Sequence, residues 1–131
     1  MPTRRVVIDH MSIGVSDLRA SRRFYLAALA PLGFAELGGW SEEAREVAFG
    51  PEGLDDFAIS TNYPPTAGGH VAFAADSREQ VDAFHAAALA AGGTDNGAPG
   101  PRAEYSPGYY GAFVLDPDGY NAEAVYHEPQ G

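Results

Sequence analysis

Two βαβββ modules in tandem, an α+β fold, are predicted for this chain by three observations. The chain repeats itself at a fixed offset, a helical apolar stripe follows the first strand of each copy, and each helix is followed by short apolar runs broken at turn residues. At an offset of 60 residues, segments 10–33 and 70–93 share seven identities: His10/His70, Phe24/Phe84, Ala27/Ala87, Ala28/Ala88, Leu29/Leu89, Ala30/Ala90 and Gly33/Gly93. Alanine matches are cheap in an alanine-rich chain; His, Phe, Leu and Gly matches at one common offset carry more weight.

The first strand, Arg5–Val15, is rich in β-branched residues. Its alternation puts Met11, Ile13 and Val15 on one face and Ile8, His10 and Ser12 on the other. Asp17 caps the helix that follows, whose stripe of Phe24, Ala27, Ala28 and Leu32 runs until Pro31 and Gly33 stop it. Strands are expected at 34–37, 45–50 and 56–61, with Pro51-Glu52-Gly53 as a hairpin turn. In the second copy Ser77 and Gln80 have capping-box spacing, Phe84, Ala87, Ala88 and Ala91 form the stripe, and Gly92-Gly93 end the helix. Strands follow at about 93–95, 109–115 and 120–127, turning at Asp116-Pro117-Asp118-Gly119. Loop 62–69 joins the copies, and loop 97–108 reads as a flap. Module one spans about 4–61 and module two about 70–128, within a single domain of 1–131.

Composition narrows the chemistry. At 131 residues and 45% hydrophobic, the chain buries a core without disulfides or a structural metal. The absence of cysteine excludes thiolate zinc sites and cysteine nucleophiles. All eight basic residues are arginine, which excludes lysine Schiff bases and the lysine of a phosphate-binding loop. The net charge is −10, split between residues 1–60 (six Arg against nine acids, −3) and residues 61–131 (two against nine, −7). Such a field repels nucleic acid and anionic membranes and favours a cationic ligand or a metal ion. The opening MPTRRVVIDHM has no apolar signal segment, and no run is long and apolar enough for a membrane span, so a soluble, cytoplasmic protein is expected.

With the helices covering one face of each sheet, Met11, Ile13, Val71 and Phe73 point toward them, while His10 and His70 point to the second face. A pseudo-twofold packing of the modules is expected to bring these histidines together. On strand 120–127, Ala122, Ala124 and Tyr126 face the helix, which leaves Glu123 on the histidine side with Asn121, Val125 and His127. Two imidazoles and a carboxylate fill three positions on a divalent ion and leave the others to water and substrate oxygens.

His10, His70 and the stretch FVLDPDGYNAE ending in Glu123, with the opening DHMSIGVSDLRASRRFYLAALAPLGF, resemble the vicinal oxygen chelate superfamily. That superfamily contains glyoxalase I, fosfomycin-inactivating thiol transferases, extradiol dioxygenases and bleomycin-sequestering proteins. The resemblance implies a curved mixed sheet around a central cleft with the helices outside. It also implies a homodimer and a divalent metal (Zn, Ni, Mn or Fe(II)) on His10, His70 and Glu123 that chelates two adjacent oxygens of a small-molecule substrate. His10 of one chain would then meet His70 and Glu123 of another, and either Glu123, as a displaceable ligand, or a metal-bound hydroxide would be the catalytic base. Glyoxalase I-like members carry a further carboxylate on the last strand of the first module; Ile59, or by parity Phe57, stands there. Extradiol enzymes place a tyrosine three residues before the Asp-Pro, where this chain has Phe113. The leading expectation is a glyoxalase-like metal-dependent lyase or isomerase. The alternatives are an Fe(II) dioxygenase-like enzyme and a resistance protein sequestering a cationic or metal-chelating compound.

Substrate contacts are expected from Tyr105, Tyr109 and Tyr110 in RAEYSPGYYGAF, of which only one of the adjacent pair faces the site, and from Arg102, Trp40 and Ile59. His85 and His127 are assigned to structure.

Overall fold

The computed structural model describes residues 8–66 and 68–131. Its elements are β1 (Met11–Gly14), α1 (Leu18–Leu29), β2 (Ala35–Leu37), β3 (Glu46–Gly50), β4 (Phe57–Ser60), β5 (His70–Ala74), α2 (Arg78–Ala90), β6 (Thr94–Pro101), β7 (Tyr109–Leu115) and β8 (Asn121–His127). This is βαβββ twice. The strands form two four-stranded mixed sheets, ordered β1-β4-β3-β2 and β5-β8-β7-β6, each with one parallel pair at its first strand. Residues 5–7 of the expected first strand lie outside the described residues. No described helix is long and apolar enough to cross a membrane.

The caps follow the sequence. The Asp17 carboxylate accepts from Ala20 N at 3.2 Å, and Ser77 Oγ accepts from Gln80 N at 3.2 Å. The return bond of the second cap goes one residue further back than a capping box requires, from Asp76 N to Gln80 Oε1 at 2.7 Å. After α1 the chain tightens into a 3₁₀ turn at Ala30–Leu32 and leaves it at Gly33, whose φ of 87° is the left-handed conformation that glycine adopts without a Cβ clash.

Each helix covers one face of its own sheet, and the two helices also pack against each other. The helix-facing residues of both modules join one core: Phe24, Tyr25, Ala28 and Leu29 of α1, Phe57 and Ile59 of β4, Phe73 of β5, Phe84 and Ala88 of α2, and Ala122 and Ala124 of β8. Phe57 and Phe73 meet edge-to-face across the modules at 5.1 Å, and Tyr25 touches both. Met11, expected to face this core, is 37% exposed at the start of β1.

The flap reading of 97–108 needs correction in its first half. Residues 94–101 are an edge strand paired with β7, its register broken between Asp95 and Gly97 and again between Gly97 and Gly100. An edge strand with bulges tolerates the glycines and prolines that made this segment read as a loop.

Candidate functional site

The face of the second sheet turned away from α2 carries a connected set of polar side chains. Parallel pairing of β5 with β8 sets His70 opposite Asn121 and Ala72 opposite Glu123, and antiparallel pairing of β7 with β8 sets Phe113 opposite Glu123 and Tyr109 opposite His127. His70 Nε2 lies 3.0 Å from Glu123 Oε1, and His70 Nδ1 lies 2.9 Å from the Asn121 carbonyl oxygen. A carbonyl can only accept, so Nδ1 carries the proton. In the neutral ring, Nε2 then turns a lone pair toward a carboxylate oxygen that also has only lone pairs to offer. Two such atoms at this distance need a positive centre to share, either a proton, carried by the imidazole or by the carboxyl, or a metal ion.

Glu123 is 1% exposed, so the carboxylate has little water to stabilise it. Its second oxygen, Oε2, accepts the phenol proton of Tyr109. Burial, and then the bond to Glu123, push the Tyr109 phenol above its ordinary range, so it remains a donor at neutral pH. The adjacent Tyr110 has the opposite parity: its hydroxyl donates to Asp82 Oδ1 of α2 at 2.7 Å, under the Arg78 guanidinium. The open face therefore receives Tyr109, and Tyr110 belongs to the helix side.

Arg102 reaches this face through Phe113. Its guanidinium stands 5.4 Å from the Phe113 ring centre and donates to the carbonyls of Ala98 and Gly100, while the His70 ring stacks on Phe113 at 6.3 Å. Tyr105 is 60% exposed and sets its ring edge-on to Tyr109 at 5.0 Å; His127 does the same at 5.2 Å. His85 pairs with Asp95 at 3.0 Å, as a structural histidine would.

The first sheet has its own open face, with a pocket of about 470 Å³ lined by His10, Ser12, Leu37, Glu46, Ala48, Asp55, Ala58 and Tyr63. Asp9, His10 and Asp55 each present one possible ligand atom within 4.8 Å of the others, all exposed. His10 Nδ1 lies 2.8 Å from Asp9 Oδ1, and this bond, followed by the charge of Asp55, raises the imidazole pKa above its ordinary value. Asp9 and Asp55 were not among the residues singled out from sequence, although Asp9 adjoins His10 in the chain.

Two expectations are corrected by this geometry. Ile59 is fully buried on the helix side of β4 and cannot reach either open face. The first-module counterpart of Glu123 is Ala58, because Ser12 pairs with Ala58 as Ala72 pairs with Glu123. Trp40 packs against the core, 4.6 Å from the Arg22 guanidinium that pairs with Glu36, and is not among the residues lining the first-sheet pocket.

The structure brings together His70, Glu123, Tyr109, Tyr105 and Arg102. It does not bring His10 to them within one chain: among the described residues, the one group of three ligating side chains is Asp9, His10 and Asp55. The reason is the shared core. With both helix-covered faces turned inward, the open faces of the two sheets look outward separately.

No curated protein matches the chain. A family model, Glyoxalase/Bleomycin resistance protein/Dioxygenase superfamily, matches residues 7–124. Among solved structures, the chain is similar to a glyoxalase/bleomycin resistance protein from Albidiferax ferrireducens T118, with 37% identity, a TM-score of 0.74, and coverage of 92% of this chain and 98% of that one. It shares its fold with a glyoxalase/bleomycin resistance protein/dioxygenase family enzyme from Burkholderia phytofirmans PsJN (21% identity, TM-score 0.69, covering 94% and 100%). The same holds for a glyoxylase/bleomycin resistance protein/dioxygenase domain from Frankia sp. EAN1pec (19%, 0.66, 95% and 100%). With the tandem modules and the match over nearly the whole chain, the protein belongs to the Glyoxalase/Bleomycin resistance protein/Dioxygenase superfamily.

Proposed function

We propose that the chain is a glyoxalase-like, divalent-metal-dependent enzyme, a lyase or isomerase acting on a small substrate held through two adjacent oxygens. The observation that carries this reading is the His70–Glu123 pair. Nε2 and Oε1 face each other at 3.0 Å with the Nδ1 proton already committed to a backbone carbonyl, the arrangement of two ligands prepared for one cation. The donor set fits Zn, Ni, Mn or Fe(II). The third ligand is His10 of the partner subunit in a homodimer, since His10 of the same chain lies on the other sheet.

An ion held there supplies Lewis-acid polarisation of a substrate carbonyl. The other tasks fall to the chain. Phe113 and Ala72 form an apolar floor beside His70, Arg102 and Tyr105 edge the open side, and Glu123, screened from water, would take the substrate proton on Oε1 once substrate oxygens displaced that oxygen from the ion.

Metal analysis of protein purified without chelators tests the proposal. The expected content approaches one ion per chain, and His70→Ala loses it while still folding, because the side chain leaves the open face and not the core. A content below about a tenth of an equivalent, unrestored by added ion, favours a second reading, a module that sequesters a cationic compound. That reading is supported by Glu46 and Asp55 in the first-module pocket and by the net charge of −10.

A further inference from the structure

We infer that Tyr109 is a positioning residue: its phenol occupies Glu123 Oε2, so that the carboxylate offers Oε1 alone, beside His70 Nε2, to a divalent cation. This rests on the metal-dependent reading above and gives Tyr109, expected from sequence as a substrate contact, a role toward the ligand carboxylate.

Three features of the face converge on it. Tyr109 and Glu123 are not register partners; Tyr109 stands opposite His127, and Glu123 stands opposite Phe113. To reach Oε2, the phenol ring must lie back along the sheet over residue 111, which is glycine. A Cβ there would sit 3.1 Å from Glu123 Oε2 and 3.1 Å from Tyr109 Cε1, in the path of the contact. The ring is held in that path by Tyr105 and His127, both edge-on to it. Glu123, at 1% exposure, has His70 on one oxygen and Tyr109 on the other. Removing the phenol frees the carboxylate to rotate and draws Oε1 off line. A metal-bound carboxylate held by an outer hydrogen bond is the usual way a protein fixes ligand geometry.

The test is titration of the metal-free protein with Co²⁺, read by calorimetry and by the visible absorption of the bound ion, which reports coordination number. Tyr109→Phe keeps the ring and its packing. It is expected to weaken Co²⁺ binding by about tenfold to a hundredfold and to change the spectrum. Gly111→Ala is expected to shift both in the same direction by crowding the ring and Glu123 Oε2 alike, and Tyr109→Leu carries the test if Tyr109→Phe fails to fold. Tyr110→Phe, which breaks only the bond to Asp82 on the helix side, is expected to leave both unchanged. Wild-type uptake of Co²⁺ with affinity and spectrum unaltered in Tyr109→Phe and Gly111→Ala overturns the role of Tyr109 and leaves the metal reading standing. Absence of Co²⁺ uptake by the wild type overturns both.

Discussion

Tyr25 of α1 donates a 2.5 Å hydrogen bond to Asp116 Oδ2, in the turn that precedes β8, and so ties the helix of one module to the hairpin of the other. Both residues are buried. Asp116 Oδ1 accepts from Asp118 N and Tyr120 N at 2.8 and 3.0 Å, so one carboxylate satisfies three donors. Asp116→Ala leaves them without an acceptor and is expected to cost about 2–4 kcal/mol in chemical denaturation. Tyr25→Phe deletes one donor and is expected to cost about 1–2 kcal/mol, in keeping with a single charge-assisted bond.

Burial raises the Asp116 carboxyl pKa above its ordinary value, against the opposing effect of the bonds it accepts. The folded protein therefore takes up this proton at a higher pH than the unfolded chain does. The stabilising contribution is complete below the unfolded carboxylate pKa and is lost as pH rises through the folded one. Relative to Asp116→Asn, which does not titrate, the wild type is expected to lose stability as pH climbs through and just above the ordinary carboxylate range. Urea midpoints of the two proteins across that range check it, and a parallel pair of curves contradicts it.

The register makes Ala58 and Ile59 opposite cases. Ala58→Glu places a carboxylate beside His10 as Glu123 stands beside His70, and it is expected to fold and to tighten metal binding at His10 by about tenfold. Ile59→Glu drives a charge into the core and is expected to destabilise by more than about 4 kcal/mol. Thermal melts and a metal titration of both variants decide the matter; equal behaviour would mean that the register is wrong.

A site shared between two subunits has a complementation signature. His10→Ala and His70→Ala homodimers each lack a ligand at every site, but a mixed dimer regains one intact site of its two. Random exchange of equal amounts makes half the dimers mixed, so uptake is expected to recover to about a quarter of the wild-type value. No recovery after verified exchange, or a metal-loaded monomer in light scattering, contradicts the shared site.

Much of this arrangement is legible from the period of two. Alternation alone assigns His10, His70 and Glu123 to the open faces and Ala122 and Ala124 to the helices, because a strand side chain has only two directions available. What alternation omits is pairing. Residues 57–59 offer two faces, and only hydrogen-bonded register identifies Ala58 as the counterpart of Glu123. Tyr109 and Tyr110 were likewise inseparable until β7 had a partner. Nor does parity say which faces meet, since that depends on how α1 and α2 pack, a property of side-chain volumes distant in the chain. Residues 97–101 read as loop because glycine and proline are loop signals that a bulged edge strand tolerates.

The turn 116–119 has a consequence for how freely the open face can change. Its aspartates serve architecture: Asp116 bolts α1 down, and Asp118 receives Ser16 N and Oγ from the far end of β1. Neither touches the imidazole and carboxyl pair on the open face. The turn is thus a latch, separable from the imidazole and carboxyl pair, and a variant that lost His70 would still close on the same latch while doing different work.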